Sequence, residues 1–287
     1  MEQLKKTQPT KGCRPTKAQD HFLSNQIFSI HWNQSKTVGK TILPKSIILE
    51  DYYKSEAYCS HQGVKKGLFG KAYRMVQRLM FTRKKQLLSQ WIPRKARLLD
   101  YGCGVGDFLL SLKGRSYSCI GIEPHSQARQ EALSKGLDVY SALEEVPASD
   151  LDVITLWHAL EHLPDPLGAM KSFYSRLAPD GILVIALPNP DSWDANHYKQ
   201  YWAAWDVPRH LWHFNEMGII EMAKQARFIH QATHALPLDA FYVNLLSEKY
   251  MRRRFGSIRA IFNGLRSIGH GLRSQEFSSQ IYLFQKS

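Results

Sequence analysis

Three glycines at alternate positions, Gly102, Gly104 and Gly106 in LLDYGCGVGDFLL, directly follow a short apolar run. Glycine loses more backbone entropy on folding than any other residue, so this density implies a tight turn or a ligand lying against bare main chain. Spacing narrows the ligand. A dinucleotide fingerprint needs GxGxxG, and the place of its third glycine is taken by Asp107; a phosphate-cradling loop ends in GK[ST], and no lysine follows. Glu123, in IGIEP, stands 17 positions past Gly106. A carboxylate there can accept hydrogen bonds from both hydroxyls of a ribose, so the pair of motifs describes a nucleoside site with no phosphate requirement.

A second set of residues is rich in imidazole. HALEH, His158 to His162, has the H-x-x-E-H spacing, which on a helix presents two histidines one turn apart and can bind zinc. With Pro164 and Pro166 close behind, the same residues also describe a helix start that is broken by proline. Downstream, PRHLWHF adds His210 and His213 after the aromatic-rich stretch DSWDANHYKQYWAAWDV. Three roles are open to these histidines: completing a metal site, acting as general base toward an acceptor hydroxyl, or packing at the mouth of a pocket.

The elements that must position these residues alternate. ARLLDY reads as a buried strand, DFLLSLKGR as a helix, YSCIGIEP as a strand and SQARQEALSKG as a helix closed by Gly136. Asp138–Tyr140 is a short strand, LDVITLW another, Pro166–Leu177 a helix and GILVIALP a strand. This alternation predicts an α/β fold, a mainly parallel sheet with helices on both faces, whose ligands bind at the carboxyl ends of strands where the strand order reverses. Upstream, Leu68, Phe69, Ala72, Tyr73, Val76, Leu79 and Met80 recur at intervals of three and four between basic residues, predicting a helix over 64–91 that Pro93 ends. Phe22–Trp32 alternates as one or two strands, and residues 1 to about 18 are polar enough to be expected disordered.

FIHQATHALPL and SSQIYLFQK are two last strands, separated by a helical insertion over 240–272. There Phe255, Ile258, Ile261, Phe262, Leu265, Ile268 and Leu272 fall on one arc, bordered by Arg252, Arg259, Arg266 and Arg273 at every seventh residue. Such an arc fits an anionic membrane or a lipid-like acceptor, and equally a packed core with snorkelling arginines.

Composition bounds the rest. The 287 residues are 44% hydrophobic, enough for a full core, and the four cysteines (Cys13, Cys59, Cys103, Cys119) form no CxxC pair. A reducing cytoplasmic setting is expected, since the first residues contain no apolar leader core and the longest apolar run, Gly181 to Leu187, is too short to span a bilayer. The net charge of +13 is uneven: residues 1–97 hold 20 Lys/Arg against 5 Asp/Glu, residues 98–250 hold 11 against 19, and residues 251–287 hold 7 against 1. Basic ends around an acidic middle suit an anionic surface or substrate, but no RNA-binding signature with interleaved stacking aromatics accompanies them, so nucleic acid ranks lower as a partner.

Taken in order, DYGCGVGDF, GIEP, DVITLWHALEHLPDP and LAPDGILVIALPNP resemble the class I S-adenosylmethionine-dependent methyltransferases, over roughly Asp51 to Ser287. The resemblance implies a Rossmann-like sandwich with a mainly parallel seven-stranded sheet. It divides the chain into an N-terminal extension (1–50), a helical lid (51–93) and a cofactor-binding domain (94–287) that carries the 240–272 insertion. By the same resemblance Asp100, Gly102, Gly104 and Gly106 hold the amino-acid end of S-adenosylmethionine, Glu123 binds its ribose beside Pro124, and the segment around Ala142 edges the adenine. Trp157 and His158 then back the methionine and face the acceptor, and relatives with a similar YYxSExY stretch bring Tyr53, Tyr58 or His61 to cofactor or acceptor.

Methyl transfer asks mainly for positioning, worth roughly 7–11 kcal/mol in favourable cases. A base is needed only for a protonated acceptor, and His162, His210 and His213 are the candidates. Ubiquinone-pathway O-methyltransferases and small-RNA 2′-O-methyltransferases resemble the HALEH region and use a Glu, Glu, His cluster there for a divalent ion. Here the first acid is replaced by His158, which favours a softer metal or none, and no metal is expected, nor a zinc ribbon around Cys13. The expected function is methyl transfer to oxygen or nitrogen of a small molecule; the alternatives are an RNA or protein methyltransferase using the basic ends, and a noncatalytic cofactor- or partner-binding module.

Overall fold

The computed structural model describes residues 16–53, 68–114, 116–147 and 149–287, with the side chains of 68–74 left out. Five strands form the parallel part of its main sheet: β4 (Arg97–Tyr101), β5 (Ser118–Ile122), β6 (Val139–Tyr140), β7 (Leu151–Trp157) and β8 (Leu177–Pro188). β10 (Phe228–Ala235) and β11 (Ser279–Lys286) complete it, in the order β10-β11-β8-β7-β4-β5-β6, with β11 antiparallel to both neighbours. The sheet is therefore seven-stranded and mainly parallel. Continuous apolar runs explain it: Leu98, Leu99, Val153, Ile154, Leu183, Val184 and Ile185 are all fully buried, because helices cover both faces.

Strand order reverses at β4, which pairs β5 on one side and β7 on the other. Register aligns Tyr101 with Ile122 and with Leu156, so Asp100, Glu123 and Trp157 emerge at one edge of the sheet. Helix α1 (Leu68–Trp91) precedes β4 and buries Leu87 and Leu88 against Leu98 and Phe108 of the helix α2 (Asp107–Leu112). Leu79, expected on its buried stripe, is 53% exposed; among the described side chains, packing falls on the last two turns, where Leu87 and Leu88 are buried.

The N-terminal residues are tied to the aromatic insert by main-chain pairing. β1 (Lys17–Gln19), β2 (Ile27–Trp32), β3 (Val38–Ile42) and β9 (Trp212–Phe214) make a second, antiparallel sheet in that order. β1 starts within the stretch expected to be disordered, a correction that tertiary pairing with β2 explains; residues 1–15 lie outside the described residues. β9 joins because Gly39 pairs with His213 and Lys40 with Trp212. After α3 (Ser126–Ser134), α4 (Pro166–Arg176), α5 (Trp193–Tyr198) and α6 (Glu216–Gln225), the insertion before the last strand is helical as expected, and consists of α7 (Asp239–Tyr250) and α8 (Gly256–Ser274). No described helix is long and apolar enough to cross a membrane.

Candidate cofactor and acceptor site

β4 delivers its glycine loop at the reversal of strand order. Gly102, Gly104 and Gly106 all adopt positive φ, 75°, 57° and 79°, a region that L side chains rarely occupy. Space is equally restrictive at two of them: a Cβ on Gly106 would lie 2.2 Å from Leu137 Cδ1, and one on Gly102 would lie 2.8 Å from Ala159 Cβ. The loop is closed onto the end of β5, since Gly102 and Cys103 donate to the Ile122 carbonyl at 2.8 and 3.0 Å. Glu123 then takes the Gly104 N–H on Oε2 and the His125 N–H on Oε1, each at 2.8 Å. Burial raises its carboxyl pKa against those bonds, so Glu123 is a shielded, fixed acceptor beside bare main chain.

Asp100 is 2% exposed and accepts the Thr155 hydroxyl at 2.6 Å; burial pushes its carboxyl up. Lys84, from α1, is 7% exposed, and its Nζ lies 4.1 Å from the Trp157 ring centroid and 5.6 Å from that of Phe108. Burial drives this ammonium down, with Asp239 and Asp100 opposing. Trp157 Nε1 is buried without a hydrogen-bond partner. A cationic donor and an orphaned N–H side by side fit a carboxylate ligand. Together with the glycine loop and Glu123, the donor set matches a methionine-bearing nucleoside.

Pro124 follows Glu123, and its carbonyl accepts from Arg129 at 2.8 Å. Ala142 leads into a 3-10 turn, Leu143–Glu145, which is stabilised by Ser141 donating to Glu145 from both N–H and hydroxyl.

Past β7 the chain turns sharply, with His158 at φ 56°. HALEH is not an α-helix: only Leu160–His162 is helical, as a 3-10 turn, so its two histidines do not share a helix face. His158 Nε2 lies 3.0 Å from Asp239 Oδ2 and Nδ1 lies 3.5 Å from Glu161 Oε1. Burial works against the cation, but the two carboxylates outweigh it and raise its pKa to about 9, leaving an imidazolium at neutral pH.

His162 Nδ1 is 3.0 Å from the Arg209 carbonyl and 3.0 Å from the Tyr53 hydroxyl. A carbonyl only accepts, so Nδ1 carries the proton and Nε2 the lone pair. Burial, reinforced by His210, lowers this imidazole to about 4 and keeps it neutral. His210 donates from Nδ1 to the Ala204 carbonyl at 2.9 Å, and its Nε2 stands 3.9 Å from Glu161 Oε1. Glu161 is 1% exposed, yet neither carboxylate oxygen has a hydrogen bond.

One ligand atom each from Glu161, His162 and His210 lies within 4.8 Å of the others. A cavity of about 10 Å³, bordered by Glu161, His210, His213 and Trp205, adjoins them, room for one water or ion. A buried carboxylate without a hydrogen bond, gathered with two imidazoles, fits a cation, although no metal was expected. His213 points elsewhere: Thr41 donates to the His210 carbonyl at 2.7 Å, so its hydroxyl oxygen accepts from His213 Nε2 at 3.0 Å. The His213 ring packs against Trp32 and Trp205, and burial lowers its pKa to about 3.

The structure thus gathers two groups, Asp100 with the glycine loop and Glu123, and Tyr53 with His162 and His210, and sets Trp157 and His158 at the end of β7. His61 and Tyr58 lie outside the described residues. Lys84, Asp239, Thr155 and the Asp206–Arg209 ion pair, whose Arg209 carbonyl holds His162, were not anticipated. A lysine at a helical apolar position was the one available signal, and the stripe of Leu and Phe around it masked that signal.

Residues 73–228, more than half of the chain, match the methyltransferase domain family. The chain is 32% identical over 107 residues to the ubiquinone biosynthesis O-methyltransferase of Haemophilus ducreyi, covering 32% of this chain and 45% of that protein. It is 31% identical over 114 residues to the protein of the same name from Pseudomonas entomophila, covering 34% and 49%. The chain spans about half the length of these curated relatives. Phosphoethanolamine N-methyltransferase 2 of Haemonchus contortus, solved in complex with S-adenosyl-L-methionine, superposes with a TM-score of 0.54 at 14% identity, over 93% of this chain and 71% of that one. An S-adenosylmethionine-dependent methyltransferase of Thermotoga maritima gives 0.52 at 17%, over 76% and 94%. At such identities the structural likeness is one of fold. By its sequence match the chain belongs to the methyltransferase domain family, and its architecture has the fold of S-adenosylmethionine-dependent methyltransferases.

Proposed function

We propose that this methyltransferase acts on an oxygen or nitrogen of a small, partly apolar acceptor, with the glycine loop, Glu123, Lys84 and Trp157 holding the methyl donor. Bound S-adenosylmethionine would supply an activated methyl, its S–C electron pair staying on sulfur as the O–C or N–C bond forms and the acceptor's proton passing to solvent water. Asp100 and Glu123 set carboxyl groups at the ends of β4 and β5, and Lys84 with Trp157 Nε1 supplies donors for a ligand carboxylate. Holding both reactants in line is the main contribution asked of the protein.

The observation that carries the acceptor side is the buried Glu161 carboxylate on the turn after β7, ion-paired with His158 but without a hydrogen bond, and gathered with His162 and His210 near Tyr53. An imidazole lowered to about 4 is a feeble base at neutral pH but an available neutral ligand, so these residues suit cation binding better than proton abstraction. A divalent ion held by Glu161, His162 and His210 would supply Lewis acidity toward an acceptor hydroxyl. His158, an imidazolium paired with Asp239, anchors Glu161 rather than joining the set. His213, bonded to Thr41, positions β9.

Transfer of labelled methyl from S-adenosylmethionine into small-molecule extracts, RNA and protein, run in parallel with and without chelator, tests the reading. Label in an organic-soluble small molecule is the expected result; label confined to RNA or protein overturns the acceptor class.

A further inference from the structure

Helix α8 wears its amphipathicity outward. Its protein-facing residues are small or polar: Ala260, Asn263, Gly264, Ser267 and Gly271 are buried. Asn263 donates to the Tyr198 hydroxyl at 2.9 Å and to Glu248 at 3.1 Å, and the Ser267 hydroxyl donates to Asp194 at 2.9 Å. Gly264 and Gly271 admit close neighbours, since a Cβ on either would lie 2.6 Å from the ring of Phe241 or Phe277. These contacts fix the helix rotation. The large apolar residues are consequently turned to solvent: Phe255 is 65% exposed, Ile258 56%, Ile261 57%, Phe262 62%, Leu265 55% and Leu272 67%. Core packing, one of the two readings of this arc, is ruled out for these six side chains. A contiguous exposed apolar surface on a folded domain marks an interaction site.

Charge identifies the occupant. From Lys249 to Gln275 the chain has six arginines and one lysine and no acidic residue. Only Arg259 approaches a carboxylate, Glu248, at 3.5 Å among the described ion pairs. A second copy pairing through this face would set arginine against arginine. An anionic bilayer satisfies both features at once, apolar side chains entering the acyl boundary and guanidinium groups meeting lipid phosphates.

We propose that α8 docks this enzyme in the plane of an anionic membrane, with the Phe255–Leu272 arc inserted and the flanking arginines on the headgroups. Docking is independent of the acceptor's identity. It also bears on the site's approach, because α8 packs on α7, whose first residue is Asp239, the partner of His158.

Sedimentation of the full chain with phosphatidylcholine vesicles, and with vesicles in which phosphatidylglycerol replaces part of that lipid, tests the proposal. The expected result is pelleting with the anionic vesicles, weakened by raised salt as surface charges are screened. Replacing Ile261→Asp and Leu265→Asp together lowers vesicle affinity by at least about tenfold while leaving thermal unfolding unchanged, as exposed positions allow. A second variant, Arg253→Gln, Arg266→Gln and Arg273→Gln, reduces the preference for anionic over neutral vesicles. No pelleting with anionic vesicles, pelleting that ignores both variants, or a dimer in analytical ultracentrifugation that the Ile261→Asp, Leu265→Asp pair dissolves would overturn membrane docking.

Discussion

The imidazole of His158 bridges two acids from different parts of the chain, with Nε2 3.0 Å from Asp239 on α7 and Nδ1 3.5 Å from Glu161 on the turn after β7. The insertion is thereby tied electrostatically to the floor of the site. Burial alone would discharge this histidine, so its elevated pKa of about 9 depends on both partners being ionised.

That elevation has a sign. A histidine whose pKa rises on folding contributes stability that is complete below its unfolded value, about 6.5, and that disappears as pH climbs through about 9. His162 and His213, lowered to about 4 and about 3, act oppositely: the unfolded chain binds their protons first, so stability declines as pH falls below about 6.5. In urea titrations of chelator-treated protein these three histidines together favour a stability maximum near neutrality, against the opposite slopes of Asp100, raised to about 7, and Lys84, lowered to about 8. A His158→Gln variant should lose the alkaline limb alone. An unchanged alkaline limb in that variant counts against the ion-pair bridge.

Donor binding should respond to the glycine loop and Glu123 in distinguishable ways. Gly106→Ala meets both a positive φ and a Leu137 methyl 2.2 Å from the new Cβ, and is expected to cost about 1–3 kcal/mol of stability. Glu123→Ala leaves the Gly104 and His125 N–H groups without their acceptor and removes the carboxylate proposed to hold the methyl donor. Calorimetry should show S-adenosylmethionine affinity reduced by at least about tenfold, or roughly 1.4 kcal/mol. Wild-type affinity in Glu123→Ala would remove the carboxylate from the donor site.

Lys84 makes a sharper test of the methionine end, because its ammonium sits on the Trp157 face rather than in an ion pair with a carboxylate. Charge-assisted hydrogen bonds are worth about 1.5–3 kcal/mol, so Lys84→Met should raise the KM for S-adenosylmethionine by about ten- to a hundredfold. The acceptor KM should stay near its original value. Methionine also fills the same apolar gap without a buried charge, so the variant should fold at least as well. An unchanged donor KM would assign Lys84 to packing.

The convergence of Asp100, the glycine loop and Glu123 was legible because each part is a local pattern. Asp100, the three glycines and Glu123 lie at strand ends whose apolar runs mark themselves, and parallel register then brings them together. Lys84 escaped notice since helical periodicity treats a lysine as an outward residue, whereas the aromatic pocket of Phe81, Phe108 and Trp157 accepts it. The histidine half depended on a backbone conformation that spacing does not encode. H-x-x-E-H describes an α-helix, and the positive φ at His158 breaks that geometry, sending one imidazole to Asp239 and the other to Tyr53 and Arg209. Likewise the pairing of β3 with β9, which sets His213 against Thr41, joins residues 170 or so apart, beyond any local pattern.

Cation binding at Glu161, His162 and His210 yields the most discriminating outcome. Two imidazoles and one carboxylate favour zinc, nickel or iron over magnesium, whose preference is for oxygen ligands. An ion that binds the folded chain more tightly than the unfolded one raises the midpoint of thermal unfolding in a concentration-dependent way. Chelator-treated wild type should therefore gain several degrees on addition of zinc, and the bound ion should be countable by elemental analysis after gel filtration. Glu161→Gln keeps the size of the side chain but removes its charge, so it should abolish the gain while preserving the fold. His213→Gln, whose histidine bonds Thr41 outside the set, should keep it. A midpoint insensitive to zinc, nickel and iron in the wild type would leave Glu161 as a buried anion held by His158 and would remove the metal from the acceptor chemistry.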